Sequence, residues 1–192
     1  DPRLGTVGDL DDFIESAHKL GMRVIMDWVG NHVHADHPQA AIDDQFHPQA
    51  VCKGTAANGQ SNWDAIPESC WFTDYMPDWD HSQPTVIHEV VQTAVDWARD
   101  RKLDGLRVDA AKHMSHAVLF NLRSELQAAL EHNGSSFDFN LIGETFDGAD
   151  KINRYIGPHL VHGQFDFPLY WSLRSAFVDD SSPVSNAVWQ AA

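Results

Sequence analysis

The sequence predicts an α/β fold on a parallel sheet, either doubly wound or part of a β/α barrel. Helix-period and strand-like segments alternate about four times along the chain, the pattern of strands joined by crossover helices. A long irregular run, from about Val33 to Gln83, interrupts that alternation after the first strand. Only four strands are legible, and four cannot close an eight-stranded barrel. On the barrel reading the 192-residue chain is therefore about half of one.

The elements follow in order. "GDLDDFIESAHKLG" sets Leu10, Phe13, Ile14, Ala17 and Leu20 on one helical face, with Gly21 as the stop. "MRVIMDWV" is the first strand. The run after it is rich in His, Pro, Asp, Asn and Trp; structureless loops of that length are uncommon, so it is a small inserted domain or a functional loop. Ser82 and Pro84 start a helix with apolar positions at Ile87, Val90, Val91, Ala94 and Ala98. "DGLRVDAA" is a strand, "SHAVLFNLRSELQAALEH" a helix closed by Asn133-Gly134, and "FNLIGETF" a strand. "ADKINRYIG" is a short helix, "HGQFDFPL" a strand and "YWSLRSAFV" a last helix. The expected division is 1–33 and 84–192 for the sheet-bearing domain and 34–83 for the insertion.

Composition bounds the function. Apolar residues make up 43% and charged residues 21%, the balance of a folded soluble domain. The net charge of −15 speaks against nucleic acid, because phosphate binding needs a basic surface, and suits a neutral substrate or a cation held by carboxylates. No apolar run approaches the roughly 18 residues of a membrane span. Cys52 and Cys70 are the two cysteines; one disulfide and two buried thiols are both open on sequence alone. The chain starts without methionine or signal peptide and stops at "SNAVWQAA", so a piece of something longer is expected.

The chemistry gathers at strand ends. Alternation puts Leu106 and Val108 on one face and Arg107 and Asp109 on the other. In a barrel the latter pair points inward near the carboxyl end, where such folds place their active sites. The arginine keeps Asp109 ionised, as a carboxylate nucleophile requires; a structural ion pair is the plain alternative. Glu144 ends the next strand in "LIGETF", placed for general-acid duty. Two carboxyls about 5–5.5 Å apart form the retaining-glycosidase arrangement. Asp27, in "DWVGNH", is inward and can pair with Arg107, while Asn31 and His32 lie in the loop beyond, where neutral polar groups bind sugar hydroxyls or a hard cation.

"DWVGNH", "MPDWD", "GLRVDAAKH" and "GETF" resemble, in order and spacing, four conserved segments of the α-amylase family of glycoside hydrolases. The resemblance covers essentially the whole chain, with "GLRVDAAKH" its most specific part, and lies nearest the secreted bacterial α-amylases. It implies a partial (β/α)8 barrel, about half, with a small inserted domain after the first strand present. It implies α-1,4-glucan hydrolysis, with Asp109 as nucleophile, Glu144 as acid/base and Arg107 orienting Asp109. His32, Lys112 and His113 are the implied sugar contacts; Asn31, Asp78 and the backbone carbonyl of His113 are the implied ligands of a structural calcium. An extracellular or periplasmic monomer follows, with a Cys52–Cys70 bridge stapling the insertion. Trp63, Trp71 and Trp79 can stack on sugar or simply pack the insertion.

The chain departs from the family pattern in three places. No "NHD" segment, the source of a third carboxylate, follows "GETF"; the early strands are missing; and "TF" stands after the glutamate where many relatives have another residue and tryptophan. The chain alone is therefore expected to be inert. Three other readings compete. "HVHADH" has the form of a metallo-β-lactamase zinc motif, with His32, His34, Asp36 and His37 as ligands. A non-catalytic scaffold of the same fold is opposed by the retention of Asp109, Glu144 and Arg107 together. A glucanotransferase shares the first chemical half and differs in the acceptor.

Overall fold

A computed structural model of the protein describes residues 3–130, 139–179 and 183. Its backbone is one parallel sheet of four strands in the order β1 (Ile25–Trp28), β2 (Gly105–Val108), β3 (Asn140–Gly143) and β4 (Gly163–Gln164). Each strand pairs with the next in sequence, Met26 opposite Leu106, Leu106 opposite Leu141 and Gly143 opposite Gln164. A doubly wound sheet reverses its strand order at a switch point; none occurs here, so the topology is that of a barrel arc. Among the described residues the sheet is not closed. β2 and β3 approach closely at Gly105, where a Cβ would sit 2.4 Å from the Asn140 carbonyl oxygen.

Helices α1 (Val7–Lys19), α3 (Pro84–Asp100) and α4 (His116–Leu130) form the crossovers and flanks. Between them in the chain lies the four-residue helix α2 (Asn62–Ala65). Thr6 opens α1 with a capping box, its hydroxyl accepting from Asp9 N–H while the Asp9 carboxylate accepts from Thr6 N–H. Gly21 leaves it at φ +76°, a left-handed turn that costs glycine little. In α3, Pro84 supplies a preset φ at the start, and Val86, Ile87, Val90, Val91, Ala94, Val95 and Ala98 form the buried stripe. That stripe packs with Leu106 and Val108 of β2, Leu141 of β3 and Val118, Leu119, Leu122 and Leu126 of α4 in one core. Each valine, leucine or isoleucine among them contributes about 1.5–3 kcal/mol by leaving water. With Leu106 and Val108 committed to the helices, Arg107 and Asp109 are left for the other face.

The ends of the chain depart from expectation. Phe13 and Leu20, expected in the α1 stripe, are 62% and 76% exposed, and only Ile14 and Ala17 are buried. The strand expected across "HGQFDFPL" shrinks to Gly163–Gln164. Asp166 caps the following helix by accepting from Leu169 N–H at 2.9 Å, and Pro168 lies in its first turn. The sequence there obeys helix-start chemistry, and α6 runs Phe167–Phe177. A short helix α5 (Ala149–Ile152) precedes β4. The predicted cap at Asn133-Gly134 lies outside the described residues.

The insertion holds no strand; 3-10 turns and single bridges such as Val51 with Trp71 and Thr55 with Ser61 shape it. Cys52 and Cys70 are joined in a disulfide at its centre. Phe46 and Trp79 stack at 4.3 Å and belong to the main core, so one core extends from the sheet into the insertion. Among the described residues no helix is long and apolar enough to cross a membrane.

Candidate active site

The site grows from the carboxyl ends of β1, β2 and β3. Val108 faces Gly143 in the register, so Asp109 and Glu144 leave neighbouring strands at the same level. Adjacent strands lie about 4.8 Å apart, close to the separation a retaining carboxylate pair requires. After Asp109 the chain turns through Ala110 at φ +49°, a left-handed conformation that non-glycine residues adopt at some cost. The turn points Ala110 N–H at Glu144 Oε2 (3.4 Å), while Ala111 N–H donates to the Glu144 carbonyl (2.8 Å). The two strand ends are tied together through their main chains.

Arg107 unites the charges. Its Nη1 donates to both oxygens of Asp27, at 2.7 and 2.9 Å, and to Asp109 Oδ1. Its Nη2 lies 2.7 Å from Glu144 Oε2. Arg107, Asp109 and Glu144 are partly buried, while Asp27 is exposed. Burial disfavours the guanidinium charge, but the hydrogen bond to Asp27 and the charges of Asp109 and Glu144 outweigh it and raise the arginine's pKa. Phe165 presents its ring 5.8 Å from the guanidinium carbon.

The implied sugar contacts divide. His32 is half-buried, tilted against Phe72 at 5.0 Å, and burial lowers its pKa. Lys112 and His113 are buried, with the lysine ammonium and the His113 Nδ1 engaged. Lys112 Nζ lies 2.8 Å from Asp147 and 3.2 Å from Asp64, and Lys151 bridges the same two carboxylates at 2.9 and 3.3 Å. Burial raises the Asp147 pKa, but hydrogen bonds from Lys112, Lys151 and the Gly148 N–H outweigh it and hold the group down to about 2. His113 donates from Nδ1 to the Pro67 carbonyl at 2.8 Å and packs edge-on against Trp63 and Phe72. Burial lowers its pKa to about 4 despite that bond. Asp64, Asp147 and Lys151 went unnoticed in the sequence because up to 87 residues separate the partners and no local pattern links them.

The tryptophans differ as well. Trp79 is buried in the core, and Trp71 spends its indole N–H on the His47 carbonyl at 3.0 Å. Trp63 lies under the Lys112 ammonium, which is 5.1 Å from its ring. Phe146, the aromatic of "GETF", is exposed and meets Phe167 and Trp171 edge-on at 4.8 and 5.3 Å.

Asn31 and Asp78 meet at the junction of β1 and the insertion, both fully buried, with Asn31 Nδ2 donating to Asp78 Oδ1 at 2.8 Å. Among the described residues Asn31 Oδ1 and Asp78 Oδ2 have no hydrogen-bond partner. Burial pushes the Asp78 carboxyl up to about 9; the Asn31 bond opposes that and Asp80 adds to it. Two buried, unsatisfied oxygens fit a hard cation. The His113 backbone makes no hydrogen bond to this pair among the described residues.

The zinc motif does not assemble. His34 and Asp36 face each other at 3.4 Å on the surface, and His37 instead caps a 3-10 turn by accepting from Gln39 N–H. Among the described residues His32, His34, Asp36 and His37 form no common ligand set.

Comparison with known proteins gives the family. The family model "Alpha amylase, catalytic domain" matches residues 1–184. Alpha-amylase 3 of Dictyoglomus thermophilum is 27% identical over 177 residues, covering 88% of this chain and 35% of that protein. A cyclomaltodextrin glucanotransferase from a Bacillus species is 25% identical over 197 residues, covering 94% of this chain and 27% of its own. The crystal structure of an alpha-amylase from Geobacillus thermoleovorans, complexed with acarbose, superposes with a TM-score of 0.74 at 28% identity, covering 91% of this chain and 37% of that one. The chain thus spans about a third of its relatives' length. With Asp109, Glu144 and Arg107 converging at the strand ends and the family's catalytic-domain model matching nearly from end to end, the chain belongs to the α-amylase family.

Proposed function

We propose that the protein carrying this chain hydrolyses α-1,4-glucosidic bonds of starch-type glucans with retention of anomeric configuration. Asp109 attacks the anomeric carbon while Glu144 gives its proton to the leaving oxygen. Glu144 then takes a proton from water, and that water releases the sugar from Asp109. Arg107 orients both carboxylates, and its contact with each of them is the observation that carries this reading. His32 meets the sugar directly, while Lys112 and His113 build the wall behind it, with Trp63 and Asp64 at its surface. Asn31, Asp78 and the His113 carbonyl hold calcium, which supplies the missing counter-charge at the junction. The Cys52–Cys70 bridge supports an extracellular or periplasmic location.

Transfer to a second sugar is the alternative outcome. The cluster beyond Glu144 of exposed Phe146 and Trp171 with half-buried Phe167 favours it by offering ring faces to an acceptor. The isolated 192-residue chain is inert, because its four-stranded sheet walls the carboxylates on one side only.

Proton NMR of maltooligosaccharide cleavage by the longer protein tests the reading, with the isolated chain as a comparison. The α-anomer forms first, and Asp109→Asn and Glu144→Gln each lower kcat by roughly 10²-fold or more. The isolated chain shows no turnover. A β-anomer formed first, or full activity in either variant, refutes the assignment; longer oligosaccharides among the products select transfer.

A further inference from the structure

We propose that reduction of the Cys52–Cys70 bridge opens a three-ligand site for a soft divalent metal, zinc above all, made of both cysteine sulfurs and His113 Nε2. Cys52, Cys70 and His113 are buried to 1%, 0% and 2% exposure, and their donor atoms all lie within 4.8 Å of one another. The imidazole tautomer is set by its neighbour: Pro67 offers only a carbonyl, so Nδ1 carries the hydrogen and Nε2 presents a bare lone pair. Among the described residues that nitrogen has no hydrogen-bond partner, and a buried polar group left unpaired is costly. Trp63 and Phe72 hold the ring edge-on from two sides. A histidine that gives its other N–H to a backbone carbonyl is the usual second shell of a zinc ligand.

The chemistry balances. A phosphine with one water converts the disulfide into two thiols and leaves as the phosphine oxide. Each thiol then loses its proton to solvent as its sulfur binds the metal, so one divalent ion displaces two protons. Two thiolates and one imidazole favour zinc over calcium or magnesium and leave a fourth position for water. In the oxidised protein the sulfurs carry no charge and the site is closed. The metal would clamp the insertion where the covalent bridge otherwise does, so the two cysteines hold it in either redox state. This inference is independent of the hydrolytic assignment.

Cobalt titration of the phosphine-reduced protein without oxygen tests it. One cobalt per chain binds, giving the near-ultraviolet charge-transfer absorption of cobalt thiolate, and zinc displaces it. The oxidised protein and Cys52→Ser/Cys70→Ser give no such band. His113→Ala weakens binding by roughly tenfold or more, since even second-shell partners are worth about 10–100-fold. X-ray absorption of the zinc-loaded wild-type protein needs no variant and counts two sulfurs with at least one imidazole. No charge-transfer band after reduction, an unchanged His113→Ala, or a zinc shell lacking imidazole overturns the proposal.

Discussion

Arg107 carries three carboxylates on one guanidinium, and that economy defines the site at the residue scale. A lysine keeps the charge but loses the planar fork that reaches Asp109 and Glu144 from separate nitrogens. Arg107→Lys in the longer protein is therefore expected to lower kcat by roughly 10²-fold, as misplacement of a reacting group does. Steady-state kinetics measure this, and wild-type kcat in the variant contradicts it. Asp147 offers a pH test. A depressed carboxylate adds stability above its unfolded value near 4 and loses it as the pH falls through the folded value of about 2. Asp147→Asn should cost on the order of 1 kcal/mol at pH 7, after allowance for solvent screening, with the difference fading between about pH 4 and pH 2. Urea unfolding across that range reads it; a cost independent of pH removes Lys112 and Lys151 as its source.

Elements explain which parts of the fold were legible beforehand. The α3 stripe and the alternation in β2 are short-range patterns with unambiguous periods, and both were readable from residue types. So was the ordering of Asp27, Asp109 and Glu144 along successive strand ends, since each follows a short apolar run. β4 is shorter than the alternation in "HGQFDF" predicts, because the cap at Asp166 and the proline behind it start a helix there. Phe13 and Leu20 fit a helical stripe, yet nothing among the described residues covers them. The Lys112–Asp147–Asp64–Lys151 cluster joins α2, the 3-10 turn after β2 and the segment from Asp147 into α5, and has no signature in any one of them.

The junction between β1 and the insertion makes its own prediction. Without a cation the native state keeps a proton on Asp78 that the unfolded chain has released, so stability falls as pH rises from about 4 toward about 9. Calcium should reverse that fall, adding about 2.7 kcal/mol at a hundredfold excess over Kd, more at pH 8 than at pH 5. The gain should vanish in Asp78→Asn. Calorimetry with calcium and with chelator distinguishes the cases; an equal gain in the variant assigns the ion elsewhere.

At the scale of the whole molecule, the arc is unfinished. Ile25 and Val29 at one end of the sheet, and Leu169, Leu173 and Phe177 on α6 at the other, are large apolar side chains open to solvent. The chain spans about a third of its relatives' length, and further strands completing a barrel would give those surfaces partners and enclose the carboxylates. The site is already preorganised within the arc, because Arg107 and the Ala110 turn fix Asp109 and Glu144 without help from further strands. The most direct measurement is trapping of the glycosyl-enzyme in the longer protein with a slow α-glucosyl fluoride, followed by peptide mapping. The account predicts one sugar per molecule, esterified to Asp109, with turnover from that adduct slowed in Glu144→Gln. A label on another residue, or catalysis by the intact enzyme with no covalent adduct and an inverted product, would contradict it.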